Sequence, residues 1–296
     1  MAGYSDIGFR HLCRKYGAGL VFTEMVSVKA ILHDNEKTKL LMETIEDEHP
    51  IALQLFGSDP EDFKKVLALP IIKNFDMIDI NMGCPAPKVV KNGEGSALLE
   101  NLPLAEEIIK TCVEYSPLPV SVKFRSGVDG EHIIAEEFAK MCEKCGVSMI
   151  TLHPRTREQG YAGHADWEII KRVAKAVKIP VVASGDVLTN FDLHYLIDEC
   201  GASGVMIGRG SIGRPEIFTE IKTGNNLNLK IQDKIEQIEE HSKYLLVSNN
   251  YNVVSLEMKK HILNYVKCFD NSTKLKINLA KLNTLDEMLE LLRNTK

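Results

Sequence analysis

Over the first 220 or so positions the hydrophobic residues fall into short continuous runs, each closed by glycine or a polar turn. Runs at 19–25, 51–56, 77–81, 120–125, 149–153, 181–184 and 204–208 have the length and β-branched content of buried strands. Between them, at 60–69, 103–115, 133–144, 167–177 and 191–200, apolar residues recur at helical spacing. Apolar strands alternating with amphipathic helices predict a parallel sheet covered on both faces. About eight such units make an α/β fold of the (β/α)8 TIM-barrel type, whose active site lies where the strands end. Only seven strands are counted. Residues 1–6 read as the loop that follows a strand, and 7–16 as the next helix, so the barrel lacks its first strand. The expectation is a start placed too far downstream or a truncated chain, with two sheet edges exposed.

Beyond Gly224 the pattern changes. Strand-like runs disappear, and apolar residues recur at helical spacing: Ile231, Ile235 and Ile238, then Leu256, Ile262 and Tyr265, then Leu285, Met288 and Leu292. Three or four helices in a small all-α bundle are predicted for 225–296, after a barrel at 1–224.

Composition narrows the class. The chain has 296 residues, 44% hydrophobic and 26% charged, which is ordinary for a globular protein. There is no signal peptide, and no apolar run approaches the ~18 residues of a membrane span. Seven scattered cysteines, an odd number, point to free thiols in a cytoplasmic protein. Cys142 and Cys145 form a lone CxxC inside a predicted helix, a structural pair and not a metal site. The net charge of −5 lacks the signature of a nucleic-acid binder, although 225–296 carries +2 and the remainder −7.

The chemistry concentrates at strand ends. The run Asp79-Ile80-Asn81-Met82-Gly83-Cys84-Pro85 presents a thiol just past a strand, on a loop mouth and outside any apolar run. Gln54 lies in the strand at 51–56. Lys123 sits in an apolar strand, where it needs an anionic partner. His153 ends its strand ahead of Arg155, and Ser184-Gly185-Asp186 and Gly208-Arg209-Gly210 end the last two, the usual phosphate cradle of this architecture.

Together these residues resemble the tRNA-dihydrouridine synthase family, the bacterial B-type branch most closely. The shared motifs are Met1-Ala-Gly-Tyr-Ser-Asp6 with Phe9-Arg10, Gln54-Leu-Phe-Gly57, 79–85 with Gly95-Ser96, and Val122-Lys123-Phe-Arg125. They continue with His153-Pro-Arg-Thr156, 161–167, Gly185-Asp186 and Met206-Ile-Gly-Arg209. The resemblance implies FMN reduced by NADPH, hydride passing to C6 of a tRNA uridine, and Cys84 protonating C5. A thiol with an ordinary value near ~8.5 stays protonated at neutral pH, which suits a donor. It also implies flavin contacts from Met1, Ala2, Gln54, Lys123, His153, Ser184, Gly185, Asp186, Gly208 and Arg209. Asn81, Arg125 and Arg155 would address the substrate, Asn81 both donating to and accepting from a uracil edge. The helical tail becomes the tRNA-binding part, with Lys259, Lys260, Lys267, Lys274 and Lys276 as phosphate contacts; a monomer, no membrane and no metal are expected. Ser184 stands where the family usually has asparagine. A flavin barrel acting on a free pyrimidine, or an RNA-binding protein without catalysis, are the alternatives; the helical tail argues against the first and Cys84, Lys123 and His153 against the second.

Overall fold

The computed structural model describes residues 1–296 except Cys268, Asp270 and Lys296. Eight strands, all parallel where paired, are β1 (Val21–Phe22), β2 (Val26–Ser27), β3 (Ile51–Phe56), β4 (Met77–Met82), β5 (Val120–Arg125), β6 (Met149–His153), β7 (Val181–Ser184) and β8 (Gly204–Met206). They run in the order β1-β3-β4-β5-β6-β7-β8, with β2 also on β3; among the described residues no pairing joins β8 back to β1. The curled sheet is therefore an unclosed barrel, as the strand count predicts.

The run at 19–25 forms a strand only at Val21–Phe22, and a second short strand follows it at Val26–Ser27. At the break, Thr23 Oγ1 accepts from the Gln54 amide (3.0 Å) and donates to the Glu24 carbonyl (2.8 Å), and the Glu24 carboxylate accepts from Gly3 N–H (2.5 Å). The Thr23 N–H still donates to the Ala52 carbonyl (3.0 Å), beyond it side chains take over from the ladder, and Met25 lines the cleft at the strand ends.

The helices over the sheet are α1 (Ile7–Lys15), α2 (Val28–Leu32), α3 (Glu36–Leu41), α4 (Pro60–Leu67), α5 (Pro87–Lys91), α6 (Leu102–Tyr115), α7 (Ala135–Lys144), α8 (Trp167–Ala176), α9 (Asn190–His194) and α10 (Ile217–Thr223). Four more close the chain: α11 (Ile231–Ser248), α12 (Tyr251–Tyr265), α13 (Ser272–Lys281) and α14 (Leu285–Arg293). The helix expected at 133–144 starts two residues late, because Ile133 bridges to Gly127. Cys142 and Cys145 lie on and just after α7, buried and unbridged, in keeping with a structural role.

Two apolar clusters form. The larger fills the sheet and its helices; the smaller lies among α11–α14. α1 belongs to both, giving Phe9 and Cys13 to the first and Leu12 to the second. Polar groups tie the same junction. Asp6 caps α1 by accepting from Phe9 N–H, and its two oxygens lie 2.8 Å from Nε2 of His241 on α11 and of His261 on α12, both fully buried. Lys234 on α11 pairs with Glu216 (2.5 Å) and donates to the Gly213 carbonyl (3.1 Å).

Gly213 also decides how closely the loop after β8 approaches α12. Its φ is +71°, and a Cβ there would lie 2.3 Å from the Asn264 carbonyl carbon. Gly213→Ala therefore meets both the left-handed backbone penalty and a clash with main chain that cannot swing aside. The expected outcome is a loss of about 2 kcal/mol or more, read as a melting temperature several degrees lower.

Candidate active site

The C-terminal ends of the strands open into a cleft of about 690 Å³, within the size range of cofactor sites. Cys84 lies two residues past β4 on a loop held from three sides. Asn81 Oδ1 accepts from Gly83 N–H (3.1 Å) and Cys84 N–H (2.9 Å). Ser96 donates to the Cys84 carbonyl from its backbone (3.0 Å) and its hydroxyl (2.9 Å). Arg125 Nε donates to the Gly83 carbonyl (2.8 Å). Gly95, at φ +61°, lets the following segment lie against the loop, since a Cβ would sit 2.9 Å from the Cys84 carbonyl oxygen. The thiol is thus presented to the cleft from a fixed main chain.

Beneath the loop, strand register lines up a polar chain: Gln54 of β3 stands opposite Asp79 of β4, and Asp79 opposite Ser121 of β5. Asp79, fully buried, accepts from Gln54 Nε2 (2.7 Å) and Ser121 Oγ (2.6 Å). Gln54 Oε1 accepts in turn from Asn81 Nδ2 (3.0 Å). Burial pushes the Asp79 carboxyl up, against the pull of these two donors and of Lys123. The expectation that Asn81 both donates and accepts at a ligand needs correction: its oxygen already takes two backbone N–H groups, which leaves one N–H hydrogen to offer.

The neighbouring wall is cationic. Lys123, beside Asn81 in the sheet, has no hydrogen bond or ion pair among the described residues. Burial brings its ammonium down to about 8, with Asp79 holding it up and Arg125 pressing it further down. His153 is driven to about 2, first by burial and then by Lys123, Arg125, Arg155 and Arg209, so its imidazole is neutral at any working pH. Past β7, Asp186 at φ +57° accepts from Arg155 Nη2 (2.7 Å) and Ala165 N–H (2.8 Å), with Arg209 Nη2 3.7 Å away. Those donors outweigh burial and hold the Asp186 carboxyl below its ordinary value. An ammonium without a partner, backed by guanidinium groups and ended by glycine turns at 185 and 208, fits an anionic ligand rich in acceptors.

Most residues singled out in the sequence border this cleft: Met1, Ala2, Gln54, Asn81, Cys84, Lys123, Arg125, His153, Ser184, Gly185, Asp186, Gly208 and Arg209. Lys259, Lys260, Lys274 and Lys276 of the helical part do not, and neither does Arg155. Only 2% exposed, it spends its guanidinium on Asp186 and on the carbonyls of Ala162 and Gly163, which organises the 155–165 loop behind the site and withdraws it from a substrate. Arg125 is largely committed too, to Gly83, Thr156 and Gly160 carbonyls, so it first of all holds loops. Tyr161 is a further site residue, within a motif that the sequence shares with the family. Its ring is 60% exposed at the cleft rim, 4.5 Å from Arg209 Cζ and 5.7 Å from Arg125 Cζ. Asn264 and Lys267, from α12 and the turn after it, also reach the cleft. Lys267 was nominated from sequence; Asn264 carries no local signal.

Comparison with known proteins agrees with this geometry. The family profile described as Dihydrouridine synthase (Dus) matches residues 1–296. A probable tRNA-dihydrouridine synthase 1 of Synechocystis is 36% identical, covering 99% of this chain and 83% of its own. tRNA-dihydrouridine synthase B of Shewanella oneidensis is 39% identical over 77% of this chain and 72% of its own. Among solved structures, a morphinone reductase superposes with a TM-score of 0.54 at 14% identity over 77% of this chain and 83% of its own. A variant of NCR from Zymomonas mobilis gives 0.52 at 15% over 78% and 85%. These distant likenesses establish the barrel-type fold. Sequence profile and relatives together establish that the chain belongs to the dihydrouridine synthase family.

Proposed function

We propose that this cleft is the flavin and uridine site of a tRNA-dihydrouridine synthase, with FMN as the flavin, NADPH as its reductant and Cys84 as the proton donor. The activity, flavin-dependent reduction of uridine in tRNA, goes with the family. The observation that carries the assignment of roles is the partnerless Lys123 ammonium facing the same cleft as a thiol on a triply anchored loop. Reduced flavin, when bound, supplies the hydride. Lys123 would hold the electron-rich edge of the ring, and the turns at Gly185 and Gly208 with Arg209 would take the phosphate end. Cys84 gives its Sγ proton to C5 of the uracil and recovers one from water. Asn81, with its oxygen twice used and one N–H left, can meet only an acceptor atom, as a carbonyl oxygen is, and Gln54 also keeps one N–H to offer.

The tRNA reading draws support from the helical part. Lys267 borders the cleft, and Lys260 lies over the ring of Tyr4 at 5.9 Å, two residues along the chain from the cleft-lining Ala2. A flipped uridine entering the cleft would leave the flanking backbone near these ammonium groups. Residues 225–296 are accordingly taken as the tRNA-gripping part and 1–224 as the catalytic part.

The test is spectroscopic. Purified protein should carry a flavin band that bleaches with NADPH under anaerobic conditions and returns on adding unmodified tRNA, with dihydrouridine appearing by mass spectrometry. A protein that neither holds nor takes up flavin would end this reading. Lys123 adds a pH signature: its ammonium, near 8 in the folded chain, is present below that value and lost above it. FMN affinity of the apoprotein should fall about tenfold per unit beyond roughly pH 8. Lys123→Met should bind more weakly and show no such inflection.

A further inference from the structure

We propose that Asp79, which does not border the cleft, is a positioning residue that fixes the direction of the Gln54 and Asn81 amides and through them the setting of Cys84. The inference rests on the catalytic reading above and adds a residue to it.

The argument is one of hydrogen-bond polarity. A carboxylate only accepts, so it draws the NH2 end of Gln54 toward itself (2.7 Å) and turns Oε1 outward. Oε1 only accepts, so Asn81 must point its NH2 at Gln54 (3.0 Å) and its oxygen away. That oxygen then takes the N–H groups of Gly83 and Cys84, which can only donate. A fixed acceptor at one end and fixed donors at the other leave each reversible amide a single satisfied orientation. Each amide consequently keeps one N–H, of fixed direction, to offer a ligand. Ser121 Oγ also binds Asp79 but lies off this line, on the carboxylate's other oxygen.

Asparagine at 79 removes the constraint at this end of the relay and leaves only the Gly83 and Cys84 N–H groups to hold the direction. Its own NH2 can face Gln54, whose oxygen then turns inward and whose NH2 faces Asn81. Asn81 would answer by bringing NH2 against the Cys84 amide, where no acceptor exists. The loop carrying the thiol would lose an anchor, and the wall would show oxygen where it now shows hydrogen.

The experiment uses flavin-loaded protein at pH 6.5, which keeps the Lys123 ammonium charged with the widest margin once its neighbouring carboxylate is gone. Two half-reactions are followed: bleaching by NADPH, and single-turnover reoxidation by unmodified tRNA at varied concentration. For Asp79→Asn the expected result is a maximal reoxidation rate at least tenfold lower, with half-saturating tRNA and NADPH bleaching within about threefold of wild type. Ser121→Ala, which leaves the polarity intact, should stay within about threefold throughout. A full maximal rate in Asp79→Asn overturns the inference, and so does an equal loss in Ser121→Ala, since generic core damage would then suffice. If Asp79→Asn does not fold, Asp79→Ser, whose hydroxyl can donate as well as accept, breaks the fixed polarity at the same end of the relay with less bulk. A tenfold drop confined to the tRNA step supports the proposal, and an unchanged step, or a drop shared with bleaching, overturns it. Wild type inert toward tRNA would instead end the catalytic reading itself.

Discussion

Cys84→Ala should make dihydrouridine formation at least ~10³-fold slower while flavin stays bound and NADPH bleaches it at the wild-type rate. A positioned general acid contributes roughly 10²–10⁴-fold, and alanine offers no proton. What makes the prediction sharp is that the loop survives the change. The loop's anchors go to main chain: Asn81 and Ser96 bind the Cys84 amide and carbonyl, and Arg125 binds the Gly83 carbonyl. The variant should therefore melt within a few degrees of wild type and accumulate reduced flavin that tRNA cannot reoxidise at a normal rate. Cys84→Ser restores a hydroxyl in place, but as a far weaker acid, and should recover only a small part of the loss. A Cys84→Ala protein that forms dihydrouridine at more than a tenth of the wild-type rate would remove the thiol from the proton path.

The second large effect concerns stability. Asp6→Ala removes the cap of α1 and leaves two buried histidines facing each other, with ring centroids 4.4 Å apart. Loss of an N-cap costs about 1 kcal/mol, and removing one partner from a buried charged cluster costs roughly 3–5 kcal/mol. A fall of about 4 kcal/mol in all is expected, seen as a melting temperature lower by ~10 °C. The pH dependence has a definite sign. The His241 imidazole holds the Asp6 carboxyl well below its ordinary range against the burial penalty, so its contribution is complete above the unfolded value and is lost as pH falls through the folded one. His261 is shifted down, first by burial and then by His241, so the folded chain takes up its proton less readily than the unfolded chain. Its burial therefore erodes stability from about pH 6.5 downward. His153, driven to about 2, acts in the same direction. Wild type should lose stability steadily below pH 6.5, and a flat profile down to pH 4 would contradict this reading.

Much of this was readable in the chain. Strand ends at Cys84, Lys123, His153, Ser184 and Gly208 could be found because a parallel barrel writes its active site into the residues that close each apolar run. Side-chain commitment could not be read this way. Arg155 looks like a substrate arginine in sequence because nothing local reveals that Asp186, 31 positions on, will meet its guanidinium. Asn81 looks free to donate and accept until the fold of its own turn directs its oxygen to the Cys84 amide. Asp79 looks like one more residue of a motif until strand register puts Gln54 on one side and Ser121 on the other. Asn264 was invisible because it reaches the cleft through packing between distant segments. Periodicity sees a residue's own element, and these assignments were made by others.

The double membership of α1 bears on how the molecule comes apart. Phe9 and Cys13 on one face and Leu12 on the other are buried in different clusters, so stripping the terminal helices away also bares the helix that opens the barrel. Neither half can loosen while the other keeps its full set of contacts. Heat thus meets a single cooperative unit, with one calorimetric transition where a chain of two independent bodies would give two.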